Sequence, residues 1–246
     1  MTTVHTEELR YAAGNVEMRG HLAFDTDRSQ PMPVVLVVHE WWGRNDYATG
    51  RAEQLAALGY AGFAIDLYGD ARVAADPDEA GAAMTALVDD MAATRARFLA
   101  ALEAVSAHAA VDGERAAAIG FCFGGGVVVH MARSGAPLRA VASFHGSLGL
   151  AVTDGPDAID CRVAAYNGEQ DVLVPAEDIA AFEAEMAKVK AHHYLVQLPG
   201  ALHGFSNPAA STNGEKYGLP LAYDPVADAT AWGHMQLLLR DVFRDA

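Results

Sequence analysis

A chain of 246 residues with 52% hydrophobic content is long enough for one large domain with a well-buried core, and residues 1–246 are read as a single domain. A formal net charge of −15 argues against nucleic acid and anionic membrane surfaces as partners, because both are bound largely through Lys and Arg. The two cysteines, Cys122 and Cys161, form no Cys-x-x-Cys pair, which argues against a disulfide framework and a cysteine zinc site and fits a reducing compartment.

Met1 to Tyr11 lacks the apolar core of a secretory leader, and the run Val34 to Val38 is too short to cross a bilayer, so a soluble cytoplasmic protein is expected. Alternation over residues 8–25 predicts an antiparallel strand pair turned near Ala13-Gly14-Asn15. Pro33 to His39 is an apolar, β-branched run of the kind found in a strand covered on both faces. Helical spacing follows from Tyr47 to Leu58, then a short strand from Ala61 to Ile65 closed by Asp66-Leu67-Tyr68-Gly69. From about Pro77 to His108 apolar residues recur every three or four positions, predicting a long alanine-rich helical region.

The run ending at Gly120 reads as a buried strand and Val127 onward as a buried helix, with a sharp turn over Phe121 to Gly126. Strands are expected at about Ala140 to Phe144, Val163 to Tyr166 and His193 to Leu198. Helices are expected at about Ala176 to Val189 and Tyr223 to Phe243. Strands alternating with helices imply an α/β fold with a mostly parallel central sheet, helices on both faces, and sites beyond the carboxyl ends of the strands.

Gly120-x-Cys122-x-Gly124 has the pattern of the G-x-S-x-G nucleophile elbow, with sulfur replacing oxygen. A thiol at a helix N-terminus meets unpaired N–H groups, which favour the thiolate. Free cysteine is also commonly a small buried hydrophobe, so the motif needs partners. In an α/β-hydrolase an acid and then a histidine follow the nucleophile, each on a loop after a strand. Asp171 stands in the loop behind Val163 to Tyr166, and His203 in the loop behind His193 to Leu198. Each alone could be a turn or surface residue; together they occur in the required order.

The loop after the first core strand, Glu40-Trp41-Trp42-Gly43, is where this fold supplies one oxyanion donor, the other coming from the residue after the nucleophile. The backbone N–H groups of Trp41 and Phe123 are assigned that role. Trp41, Trp42, Tyr68 and Phe205 are candidate lining of an apolar substrate pocket, or ordinary core. Gly43 stands where a zincin His-Glu-x-x-His motif needs its second ligand, and neighbouring His192 and His193 point to opposite faces of a strand, so no metal is expected.

With Gly120-Phe121-Cys122-Phe123-Gly124-Gly125, His39-Glu40-Trp41-Trp42-Gly43, Asp66-Leu67-Tyr68-Gly69 and Leu202-His203-Gly204-Phe205, the chain resembles the dienelactone hydrolase (carboxymethylenebutenolidase) family. The resemblance implies an α/β-hydrolase fold, no cofactor, and hydrolysis of a small-molecule ester or lactone. It also implies a triad of Cys122, Asp171 and His203, with Glu40 as the carboxylate that meets the resting thiol. Where that family holds a substrate carboxylate with arginines, this chain has Asn207 at one place and Gly69-Asp70, with Arg72 a little later, at the other. A general short-chain esterase or thioesterase is an alternative, as is a non-catalytic binding or thiol redox protein. A monomer and a small homo-oligomer both remain open.

Overall fold

The computed structural model describes residues 3–150 and 158–244, and the chain divides into two compact units, Met1–Ala118 and Ile119–Ala246. The first unit opens with β1 (Val4–Ala13) and β2 (Val16–Asp25), the expected antiparallel hairpin. Then come β3 (Met32–Val38), α1 (Asp46–Ala57), β4 (Ala61–Ala64), α2 (Pro77–Val88), α3 (Met91–Ser106) and β5 (Val111–Phe121). Strand β4 pairs parallel to β3, with Phe63 opposite Leu36, and antiparallel to β2.

All of β3 except Pro33 is buried, and helices α1 and α3 both pack on it. That is why its sequence reads as a continuous apolar run rather than an alternation. Helix α1 starts where the Asn45 side chain accepts the Ala48 N–H, satisfying one donor that has no partner within the helix. The helical region expected from Pro77 to His108 is broken between α2 and α3. There the Asp90 carboxylate accepts the Ala93 N–H and starts a new helix, although the apolar spacing continues across the break.

The second unit contains the end of β5, α4 (Phe123–Arg133), β6 (Ala140–Phe144), β7 (Arg162–Gly168), α5 (Ala176–Lys188), β8 (His193–Leu198), α6 (Ala210–Tyr217) and α7 (Pro225–Val242). Strands β6, β7 and β8 are parallel, with Phe144, Tyr166 and Val196 in register, and α4 and α7 both pack on β6. At the end of α4 the buried Arg133 guanidinium bonds both carboxylate oxygens of Glu185 at 2.7 to 3.1 Å. It also donates to the Leu148 and Leu150 carbonyls, so the cost of burying the pair is offset by directed bonds.

Two boundaries differ from expectation. Helix α4 begins at Phe123 rather than Val127, so the turn is concentrated at one residue, and the glycines after it form the first helical turn. Helix α6, with the sequence Ala-Ser-Thr-Asn-Gly-Glu-Lys-Tyr, is not among the expected elements; it closes on Gly218 at φ 66 as a left-handed cap. The eight strands form one mostly parallel sheet in the order β1-β2-β4-β3-β5-β6-β7-β8, the α/β class expected.

Candidate active site

Cys122 sits between β5 and α4 at φ 54, ψ −120, a region that costs a side-chain-bearing residue about 1–3 kcal/mol and persists only where neighbours impose it. Three observations account for it. A Cβ on Gly120 would lie 2.0 Å from the Gly124 carbonyl oxygen, so only glycine lets the strand pass this close to the helix. The Cys122 N–H donates to the Phe144 carbonyl at 3.0 Å and to His145 Nδ1 at 3.2 Å. Its carbonyl accepts the N–H groups of Gly125 and Gly126. The side chain, partly exposed, is thereby held at the head of α4. Phe123 occupies the first helical position, where a backbone N–H has no intrahelical acceptor.

The loops after β7 and β8 are joined before they present side chains. Glu169 N–H donates to the Leu198 carbonyl, Gln170 N–H to the Ala201 carbonyl, and Gly200 N–H to the Glu169 carboxylate. Gly168 makes this possible, since a Cβ there would stand 2.3 Å from the Ala201 oxygen. The result brings Asp171 Oδ2 to 2.8 Å from His203 Nδ1, with both side chains buried. Asp171 Oδ1 accepts the Leu173 N–H at 2.9 Å, which fixes the carboxylate plane. His203 Nε2 is buried and has no hydrogen-bond partner among the described residues, while Cys122 lies near enough to influence its pKa.

Burial by itself would lower the His203 pKa, but its electrostatic interaction with Cys122 and the bond to the Asp171 carboxylate outweigh it and raise the pKa to about 10. The folded chain thus holds this proton to a higher pH than an unfolded one, whose imidazole titrates near 6.5.

In the first unit, Glu40 is buried two residues past the end of β3. His39 before it is also buried, and burial pushes its pKa down. Its Nε2 accepts the Leu67 N–H at 3.3 Å, so Nδ1–H donates to the Glu40 carbonyl at 2.6 Å. A neutral imidazole therefore ties the ends of β3 and β4 together. The Asp66 carboxylate accepts the N–H groups of Arg19, Tyr68, Gly69 and Ala71. Tyr68 Oη–H then donates to the Trp41 carbonyl at 2.8 Å, and the Trp41 and Trp42 rings stand 5.0 Å apart, so Trp41, Trp42 and Tyr68 form one connected cluster. Arg72 is elsewhere engaged: its Nε and a terminal nitrogen donate to Glu79 Oε1.

In the second unit, Phe205 is fully buried and packs edge-on against His145, and the buried Asn207 accepts the Ala209 N–H at 2.9 Å, turning the chain toward α6. No sequence motif points to His145, because the α/β-hydrolase order assigns no part to the loop after β6. The available signal was a histidine directly at a strand's carboxyl end. Among the described residues no group of three or more His, Cys, Asp or Glu could hold a metal. No helix among them is long and apolar enough to cross a membrane.

Residues 18–243 match the model of the dienelactone hydrolase family. A relative from Synechocystis sp., named as a carboxymethylenebutenolidase, is 31% identical over 219 residues, covering 82% of this chain and 87% of its own. One from Bradyrhizobium sp., named as a 2-oxo-3-(5-oxofuran-2-ylidene)propanoate lactonase, is 24% identical over 221 residues, covering 85% and 84%. Among solved structures, P91, a dienelactone hydrolase-like promiscuous phosphotriesterase from metagenomic libraries, superposes with a TM-score of 0.93 at 36% identity, covering 98% of this chain and 99% of its own. With the fold, the match and these likenesses in agreement, the chain belongs to the dienelactone hydrolase family and is an ester or lactone hydrolase.

Proposed function

We propose that hydrolysis proceeds through a cysteinyl thioester on Cys122, with His203 moving the proton and Asp171 orienting His203. The observation that carries this reading is the buried Asp171–His203 bond of 2.8 Å, which leaves Nε2 uncommitted while Cys122, held in an elbow conformation, is near enough to influence it. Cys122 Sγ attacks the carbonyl carbon and forms a C–S bond. The carbonyl electrons move to an oxyanion, for which the Phe123 and Trp41 N–H groups are the assigned donors. Collapse breaks the C–O bond, and His203 Nε2–H protonates the departing alkoxide. Water then gives its proton to His203, attacks the thioester and releases the acid and the thiolate. Glu40 and Trp41 enter this reading from the sequence motif. Brief mixing with an aryl acetate, followed by acid quench and peptide mass analysis, should find one acetyl group on the Cys122 peptide; an unlabelled Cys122 peptide at full turnover would refute the thioester.

Neutral substrates suit this site best. The Arg72 guanidinium is paired with Glu79, and the Asn207 side-chain oxygen is used by its own turn. A substrate carboxylate thus loses a charge-assisted contact worth roughly 1.5–3 kcal/mol, or about tenfold to a hundredfold. Neutral aryl esters and lactones are expected to exceed their carboxylated analogues in kcat/KM, and a strong preference for the acids would reverse the assignment. Phosphotriesters, the class in the name of P91, are also uncharged and belong in the same screen.

A further inference from the structure

We propose that His145 is a positioning residue that ties the backbone of Cys122 to the segment carrying His203. His145 follows β6, is fully buried, and adopts φ 40, a left-handed conformation that a bulky side chain holds only when its surroundings impose it. A backbone N–H can only donate, so the 3.2 Å contact from Cys122 makes His145 Nδ1 an acceptor. The ring proton is then on Nε2, which donates to Ser206 Oγ at 2.8 Å. The same ring stands edge-on to His203 at 5.0 Å and to Phe205 at 5.1 Å. One neutral imidazole therefore spans the two segments whose side chains must meet, the elbow and residues 203–206. Cys122 and His145, two of the non-glycine residues with positive φ, are the two ends of the bond to Nδ1.

The consequence is a requirement for one tautomer. With the proton on Nε2 the ring can hold both segments; with it on Nδ1 the bond to the elbow is lost. Ser206 Oγ accepts from Nε2 in the productive form and so completes the bridge.

This inference rests on the reading that Cys122 and His203 react, and its test separates the two. kcat, KM and melting temperature would be measured with a neutral aryl acetate for the parent, Cys122→Ala, His145→Phe, His145→Asn and Ser206→Ala. Phenylalanine fills the ring's space without either bond. Asparagine tolerates the left-handed backbone and keeps an acceptor oxygen near the place of Nδ1. His145→Phe is expected to lower kcat about tenfold to a hundredfold, equivalent to about 1.4 to 2.8 kcal/mol, with KM and melting temperature near the parent's. His145→Asn is expected to recover most of that loss, and Ser206→Ala to lower kcat less than His145→Phe. An inactive Cys122→Ala beside a His145→Phe as fast as the parent would overturn this inference alone, as would losses in kcat that simply track melting temperature. Turnover retained in Cys122→Ala would overturn the underlying reading and this inference with it. Should His145→Phe fail to fold, Ser206→Ala decides: a lowered kcat at parental melting temperature supports the inference, and an unchanged kcat overturns it.

Discussion

Cys122→Ala is expected to abolish ester hydrolysis, while Cys161→Ala leaves it nearly intact. Loss of a triad nucleophile costs on the order of 10⁶-fold in kcat, because the steps it divides revert to a single difficult one. Alanine at position 122 meets the same backbone restriction at φ 54 that cysteine does, so the substitution removes the sulfur without adding conformational strain. Cys161 makes a sharp control. It is buried, and burial pushes its thiol up to about pKa 11, so it stays protonated and unreactive at neutral pH. Equal damage from the two changes would remove Cys122 from the nucleophile's role.

Asp171→Asn is the second large expected effect, a fall in turnover of about 10⁴-fold, the scale reported for the same change in a serine triad. The geometry here says why. Leu173 N–H points at Oδ1, so an asparagine must keep its oxygen there and turn its NH₂ group toward His203 Nδ1. That forces Nδ1 to accept and moves the imidazole proton to Nε2, where the base must be free. The negative charge that favours the imidazolium disappears as well. A folded Asp171→Asn variant with near-parental kcat would exclude the assigned acid. Greater sensitivity at Asp154, Asp157 or Asp160 would move it to the preceding segment, of which residues 154 and 157 lie outside the described residues.

The sequence by itself determined whatever depends on near neighbours. The apolar run Val34 to Val38 predicts a strand covered on both faces because no alternation is left for solvent, and β3 is that strand. Gly120-x-Cys122-x-Gly124 is legible as an elbow because a close strand–helix approach excludes a Cβ within a few residues of the turn. The chain order of Cys122, Asp171 and His203 follows from which loops come after which strands, and that too is local. The tertiary structure alone decided what depends on residues far apart in the chain. The Asp171–His203 bond joins positions 32 apart, and its 2.8 Å length comes from two loops zipped through Glu169, Gln170 and Gly168. His145 is the clearest case, since it acts on Cys122 from 23 residues away and on Ser206 from 61. Periodicity and motif spacing encode which face a side chain takes and how tightly the chain can turn. A hydrogen bond between distant loops exists only once the sheet has set both loops at the same end of adjacent strands.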